Sequence, residues 1–240
     1  MPRFFKEFFE ESPVIIGQDA LHIAKALRMK SGEALTVCDT KGFDYHCRID
    51  TVSPDAVTLK IEQKCKTESE PSVAVTLFVC LPKGDKIDSI IKQAVELGVC
   101  EIVPVLSSRC VARPDPKAMP KKRERYQKIA NEAAMQSGRG ILPKVGDFVS
   151  LKECADSLAE FDKALFFYEL GGEPIDKITF AGGEKIALIT GCEGGFDISE
   201  AELLKGNGAK TLTLGPRILR AETAPAAAIS SVMLLSGNFR

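Results

Sequence analysis

The amino-acid sequence predicts an α/β protein: a domain built on a parallel sheet, preceded by a small β-barrel domain. Three features carry this expectation. Period-two apolar runs separated by tight turns fill residues 1–70, as the strands of a small barrel do. From Val73 the pattern changes to strand, helix, strand, a βαβ unit whose two strands must run parallel. In the last third, two short apolar strands each run into a glycine turn and then a helix-start signal: Leu188-Ile-Thr-Gly-Cys-Glu-Gly-Gly-Phe196 and Leu214-Gly-Pro-Arg-Ile-Leu-Arg-Ala-Glu-Thr223. The domains are expected at 1–70 and 71–240.

In chain order, strands are expected at 34–38, 44–49 and 56–61, bounded by the turn signals Lys30-Ser-Gly32, Asp39-Thr-Lys-Gly42 and Ser53-Pro-Asp55. A helical turn or two at 22–28 interrupts them, and the polar stretch 63–71 reads as a linker. The run 73–80 is a strongly apolar strand. Asp85 then has the character of an N-cap, and Ile87, Ile90, Ile91, Ala94 and Val95 share one helical face. Gly98 ends that helix, and 99–106 returns as a strand. A basic helix follows over 120–137, with strands at 164–168, 186–190 and 211–214. The last helix starts near Glu222 and runs to Leu235; Pro225 is tolerated in its first turn, where the N–H has no intrahelical partner.

Composition narrows the function classes. The 240 residues are 45% hydrophobic and 27% charged, ordinary values for a globular chain able to bury a core. A formal net charge of −1 leaves no global attraction to nucleic acid or membrane, so any RNA contact must come from a local patch. No apolar run approaches the roughly 18–20 residues that span a bilayer, and the N-terminal residues lack a signal peptide's apolar stretch and cleavage site. A cytoplasmic protein with no membrane partner is expected. The eight cysteines are scattered without a CxxC pair or a nearby histidine pair, so neither a metal site nor a disulfide framework is expected.

The paired glycine turns attract most attention. Gly191–Gly195 is neither GxGxxG nor a P-loop, and alone it is equally a tight strand-to-helix turn. A second strand end of similar chemistry favours a ligand cleft, because open α/β sheets bind small molecules beyond the carboxyl ends of their strands. Backbone N–H and C=O groups at such turns suit an adenine edge within an apolar wall. Glu193 sits inside the first turn; Arg217, Arg220 and Glu222 follow the second. Salt bridges and helix capping would account for these charges, Glu222 by the helix macrodipole, yet Arg220 beside a cleft could also stabilise negative charge developing on a substrate. Cys192 lacks a nearby base, since the only histidines are His22 and His46, and reads as structural rather than nucleophilic. Basic residues gather at Arg109, Arg113, Lys117, Lys121, Lys122, Arg123, Arg125 and Arg139, either a solvated helix face or a phosphate-contacting surface that Arg3, Arg28 and Lys30 could extend.

Five stretches, in order along nearly the whole chain, resemble the ribosomal RNA small subunit methyltransferase E family of uridine N3-methyltransferases, within the SPOUT superfamily: Met1-Pro-Arg-Phe-Phe5; His22-Ile-Ala-Lys-Ala-Leu-Arg28; Pro82-Lys-Gly-Asp-Lys86 with Glu96-Leu-Gly98; Asn131-Glu-Ala-Ala-Met-Gln-Ser-Gly-Arg139; and the pair Gly191–Phe196 and 214–224. The family usually has proline where this chain has Cys192. The resemblance implies a PUA-like RNA-binding barrel followed by an α/β domain whose last segments thread a trefoil knot, an exception to the rule against knots. It implies S-adenosylmethionine held by three loops: Glu169 and Leu170; Thr190, Gly191, Glu193, Gly194 and Gly195; and Leu214, Gly215, Ile218 and Leu219. It also implies a homodimer acting on small-subunit ribosomal RNA, free or in the assembled subunit, to give 3-methyluridine. RNA contacts are expected from Arg3, Arg28, Arg109, Arg113, Lys121 and Arg139.

Uracil N3 carries a proton and is a poor nucleophile until that proton leaves, when negative charge spreads to O2 and O4. A guanidinium would favour the anion, and a carboxylate or water could take the proton. Arg220 is the expected cation and Glu193 the expected base or orienter. Two rivals stand beside this reading: an RNA-binding ribosome-assembly module with a vestigial pocket, and an RNA methyltransferase acting on another atom, such as a ribose 2′-hydroxyl or uracil C5.

Overall fold

The computed structural model describes residues 1–7 and 9–239. The chain divides into two compact units, Met1–Glu70 with Ala134–Leu142, and Pro71–Ala133 with Pro143–Arg240. The segment 134–142, placed in the second domain by the sequence reading, thus folds with the first.

The first unit holds five strands: β1 (Arg3–Phe5), β2 (Val14–Ile16), β3 (Ala34–Cys38), β4 (Phe43–Val52) and β5 (Ala56–Lys66), in the order β1-β3-β4-β5-β2. β1 runs parallel to β3 and the other pairs are antiparallel. Alternation does the sorting. Tyr45, Cys47 and Ile49 of β4 turn inward with Leu35 and Val37 of β3, Val57 and Leu59 of β5, Phe4 and Ile15, and one core collects them all. β1 and β2 are only three residues long, too short for their periodicity to announce them. β5 runs on to Lys66, pairing with Phe43, so the polar tract 63–66 is strand rather than linker. A four-residue helix α1 (Gln18–Leu21) passes into a π-turn, His22–Ala26, and Arg28 follows in the left-handed region at φ 53°.

The second unit alternates as expected. Its elements are β6 (Ala74–Cys80), α2 (Lys86–Glu96), β7 (Glu101–Leu106), α3 (Met119–Ser137, its residues from Ala134 counting with the first unit), β8 (Lys144–Val145), β9 (Val149–Ser150), α4 (Leu151–Ser157), β10 (Lys163–Phe167), β11 (Glu173–Pro174), β12 (Lys185–Thr190), α5 (Ile198–Gly206), β13 (Lys210–Thr213) and α6 (Thr223–Leu235). The strand order is β11-β13-β10-β12-β6-β7-β8, with β9 also on β7, and every pair is parallel. β6 and β12 are buried along almost their whole length, which is why they read as continuous apolar runs. Capping boxes start two helices, Ser150 with Glu153 for α4 and Asp197 with Glu200 for α5. No helix among the described residues is long and apolar enough to cross a membrane.

The topology sets up the site. β10 lies between β13 and β12, and all three point the same way, so the turns that follow them leave from one edge of the sheet.

Candidate active site

The turns after β10, β12 and β13 enclose a cavity of about 660 Å³ within the second unit. Aromatic packing builds its back wall: Phe166 of β10 meets the fully buried Phe196 edge-on at 4.8 Å and stacks on Tyr168 at 5.2 Å. One carboxylate joins two of the turns. Glu169, just after β10, accepts a hydrogen bond from the Phe196 N–H at 2.8 Å. Gly195 makes that approach possible: its φ is +63°, and a Cβ there would stand 1.8 Å from Glu169 Oε1. In the third turn Gly215 has φ +97° with open space where a Cβ would be, and its N–H donates to Thr213 Oγ1 at 3.2 Å. From the end of β7, Arg109 clasps the second turn, donating to the Gly194 carbonyl at 3.0 Å and to Asp197 at 3.4 Å.

Ten of the eleven expected cofactor positions line this one cavity: Glu169 and Leu170 from the first turn; Gly191, Glu193, Gly194 and Gly195 from the second; Leu214, Gly215, Ile218 and Leu219 from the third. Thr190 does not line it. It is the last residue of β12, buried in the sheet, and its Oγ1 has no hydrogen-bond partner among the described residues. Strand periodicity explains this, because alternate residues of a strand face opposite sides and Thr190 lies before the chain turns outward. Cys192 also lines the cavity, but hydrogen bonding with the Cys110 thiol and burial push its own thiol well above the ordinary value. It stays protonated at neutral pH, as a structural residue does.

The charged residues sort into two kinds. Arg217 and Arg220 line the cavity, are exposed, and have no side-chain hydrogen bond or ion pair among the described residues. Glu193, by contrast, is held: it accepts from the Lys86 ammonium at 2.7 Å and from the Lys83 N–H at 3.2 Å. Burial opposes its ionisation, but the bonds from Lys86 and the backbone outweigh it and keep Glu193 below the usual carboxylate range. Lys86 was not among the residues expected at the site. Its stretch, 82–86, carries the family likeness, but a lysine in the first turn of a helix announces no role by itself.

The basic residues expected to contact RNA do not act as one set. Arg28 and Lys121 are exposed. Arg113 is exposed too, while its guanidinium donates to the Ser107 and Ser108 carbonyls. Arg109 belongs to the cavity wall. Arg3 and Arg139 are a correction: Arg3 forms a two-pronged pair with Asp44 at 2.6 and 2.9 Å, and Arg139, 2% exposed, pairs with Glu70 at 2.7 Å, both inside the first unit. Their charges fasten the fold and are shielded from a nucleic-acid backbone. Arg139→Met is therefore expected to lower unfolding free energy by about 3 kcal/mol, the cost of leaving a carboxylate without its partner. Urea unfolding would measure it; an unchanged midpoint with weakened RNA binding would return Arg139 to the RNA surface.

The comparisons place this chain among RNA methyltransferases. A family described as "RNA methyltransferase domain" matches residues 68–233, and one described as "RNA methyltransferase PUA domain" matches 15–62. The ribosomal RNA small subunit methyltransferase E of Bacillus subtilis is 35% identical, over 97% of this chain and 96% of its own length. Its namesake from Synechocystis is 30% identical, over 94% of this chain and 74% of its own. Among solved structures, a ribosomal RNA small subunit methyltransferase E from Neisseria gonorrhoeae bound to S-adenosyl methionine superposes with a TM-score of 0.89 at 30% identity, covering both chains in full. The chain belongs to the ribosomal RNA small subunit methyltransferase E family.

Proposed function

We propose that this protein transfers the methyl group of S-adenosylmethionine to N3 of a uridine in small-subunit ribosomal RNA. The observation that carries the reading is the convergence of three main-chain turns on one cavity in a chain of this family. The residues present suit the cofactor. A cavity of about 660 Å³ falls among those that take molecules of its size, the position above Gly215 is open, and Leu170, Ile218 and Ile198 offer exposed apolar surface at the rim. The solved relative bound to S-adenosyl methionine supports the same assignment. Glu169, Leu170 and the turns 191–195 and 214–219 would hold it, and the C-terminal segments are proposed to thread as a trefoil around it.

Bound S-adenosylmethionine supplies an activated methyl carbon. The protein must make N3 a nucleophile and place it in line with that carbon. Arg220, with no partner among the described residues, is assigned to the negative charge that spreads to O2 and O4 as the N3 proton leaves. Glu193, ionised and on the cavity wall, is assigned to receive that proton. Arg28, Arg113 and Lys121 are assigned to the RNA backbone. The protein is proposed to work as a cytoplasmic homodimer on free or assembled subunit RNA.

Mass spectrometry of nucleosides from small-subunit RNA of cells with and without the gene tests the reading. Loss of one 3-methyluridine on deletion is the expected result. Loss of a 2′-O-methyl or C5-methyl nucleoside would move the reaction to another atom. An unchanged nucleoside profile, together with no calorimetric binding of S-adenosylmethionine, would favour the assembly-module reading.

A further inference from the structure

Three distant parts of the chain meet at one ammonium. Lys86 opens α2 at the carboxyl end of β6, Glu193 lies in the turn after β12, and Glu222 precedes α6. Lys86 Nζ stands 2.7 Å from Glu193 Oε1 and 3.5 Å from Glu222 Oε2. Glu222 Oε2 is sealed from solvent and accepts no hydrogen bond among the described residues, so the nearby ammonium is its compensation. Lys86 and Glu193 both line the cavity, and Glu222 does not.

We propose that Lys86 is the positioning residue of this reaction: shared between Glu193 and Glu222, its ammonium holds the Glu193 carboxylate ionised against the cavity as the acceptor of the N3 proton. The proposal rests on the N3 reading above. Three charges, two negative and one positive, leave the cluster with a net charge of −1, which suits a site that takes up a proton and not one that stabilises an oxyanion. That division assigns proton acceptance to Glu193 beside Lys86 and anion stabilisation to Arg220. In the step itself the N3–H pair stays on nitrogen and the proton passes to Glu193. The nitrogen pair then forms the N–CH3 bond as the C–S bond breaks with its electrons going to sulfur, and Glu193 later returns the proton to water.

Glu193 is bonded by the Lys83 N–H and by Lys86 from the β6–α2 turn, Glu222 from the start of α6 shares the Lys86 ammonium, and Arg109, Glu169, Arg217 and Arg220 are charged residues lining the same cavity. Among the described residues, Lys86 is the side chain that donates to Glu193 directly. Its removal therefore lets the Glu193 pKa rise, so that the carboxylate is ionised, and the enzyme active, only at higher pH.

The test is methyl transfer to small-subunit RNA by purified Lys86→Met and Lys86→Arg proteins across pH, with calorimetry of S-adenosylmethionine beside it. For Lys86→Met the expected result is a fall in kcat of about tenfold or more, an acid limb moved to higher pH, and cofactor affinity within about threefold of wild type; Lys86→Arg should restore the limb. If Lys86→Met does not fold, the double variant Lys86→Met/Glu222→Gln, which removes the stranded charge, carries the same measurement. An acid limb that stays in place in an active Lys86→Met or double variant overturns the proposal, as does an equal loss in Lys86→Met and Lys86→Arg with no movement of the limb. A wild-type protein that binds cofactor yet methylates no N3 position would overturn the reading beneath it as well, and is told apart by the identity of the methylated nucleoside.

Discussion

Arg220→Ala is expected to lower kcat by about 10²–10³-fold while cofactor affinity changes little, the usual consequence of removing one preorganised donor from a developing anion. The reason lies in what the guanidinium does not do. Arg109 is held by a carbonyl and a carboxylate, and Arg113 by two carbonyls. Arg220 lines the same cavity, and no side chain or carbonyl among the described residues claims its donors. In water, an exposed cation contributes little to an anion nearby. Once RNA closes the rim, the same charge acts at lower dielectric and its attraction for the deprotonated base grows several-fold. Single-turnover transfer from labelled S-adenosylmethionine at saturating RNA would read the chemical step apart from binding. Arg220→Lys should recover part of the rate, since the charge returns without the planar fork. Retention of the wild-type single-turnover rate in Arg220→Ala would remove this residue from catalysis, leaving Arg217 as the cavity's other cation without a partner among the described residues.

The parts of the fold legible in the sequence are those whose physics is local. The face Ile87, Ile90, Ile91, Ala94 and Val95 is the buried face of α2, and the apolar runs around Leu77 and Leu188 are neighbouring central strands. Glycine turns at strand ends marked the cavity because side chains of Glu169, Phe196 and Arg109 crowd Gly195, Gly191 and Gly194, and Gly195 and Gly215 take positive φ, which leaves few other residues that fit. Two helix starts were written just as locally, Ser150 with Glu153 and Asp197 with Glu200, and the first of them went unread because α4 is only seven residues long, with little periodicity to support it. What sequence could not show is pairing at long range. Arg139 meets a carboxylate 69 positions earlier, and Lys86 meets one 107 positions later. A basic residue reads the same whether its charge faces solvent or a buried partner, so Arg3 and Arg139 read as RNA contacts, and Lys86, although its stretch carries the family likeness, does not read as a site residue. Thr190 lies outside the cavity lining for a different reason. A turn motif locates where the backbone leaves the sheet, yet the side of the sheet on which its first residue falls depends on register with β6 and β10.

Gly195→Ala is expected to reduce cofactor affinity by about a hundredfold or more, the loss of about 3 kcal/mol, and to destabilise the fold at the same time. The added methyl group would begin 1.8 Å from Glu169 Oε1 and 2.4 Å from its carboxyl carbon, so the carboxylate must leave. Its departure strands the Phe196 N–H, which now donates to that oxygen at 2.8 Å in a partly buried setting, at a cost of about 1–3 kcal/mol. The backbone penalty adds to this, because φ +63° is the left-handed region and costs an L-residue about 1–2 kcal/mol. Both effects fall on the contact that joins the first turn to the second, and therefore on the shape of the cavity itself. Calorimetry with S-adenosylmethionine and urea unfolding would separate binding from stability. The double variant Glu169→Ala/Gly195→Ala removes the clash but keeps the backbone strain and the orphaned N–H, so it should recover little affinity. Full recovery in the double variant would mean that crowding alone was at fault and that the bridge from Glu169 to Phe196 has no part in holding the cavity open. Wild-type affinity in Gly195→Ala would go further, and show that the turn can be rebuilt without the cofactor site noticing.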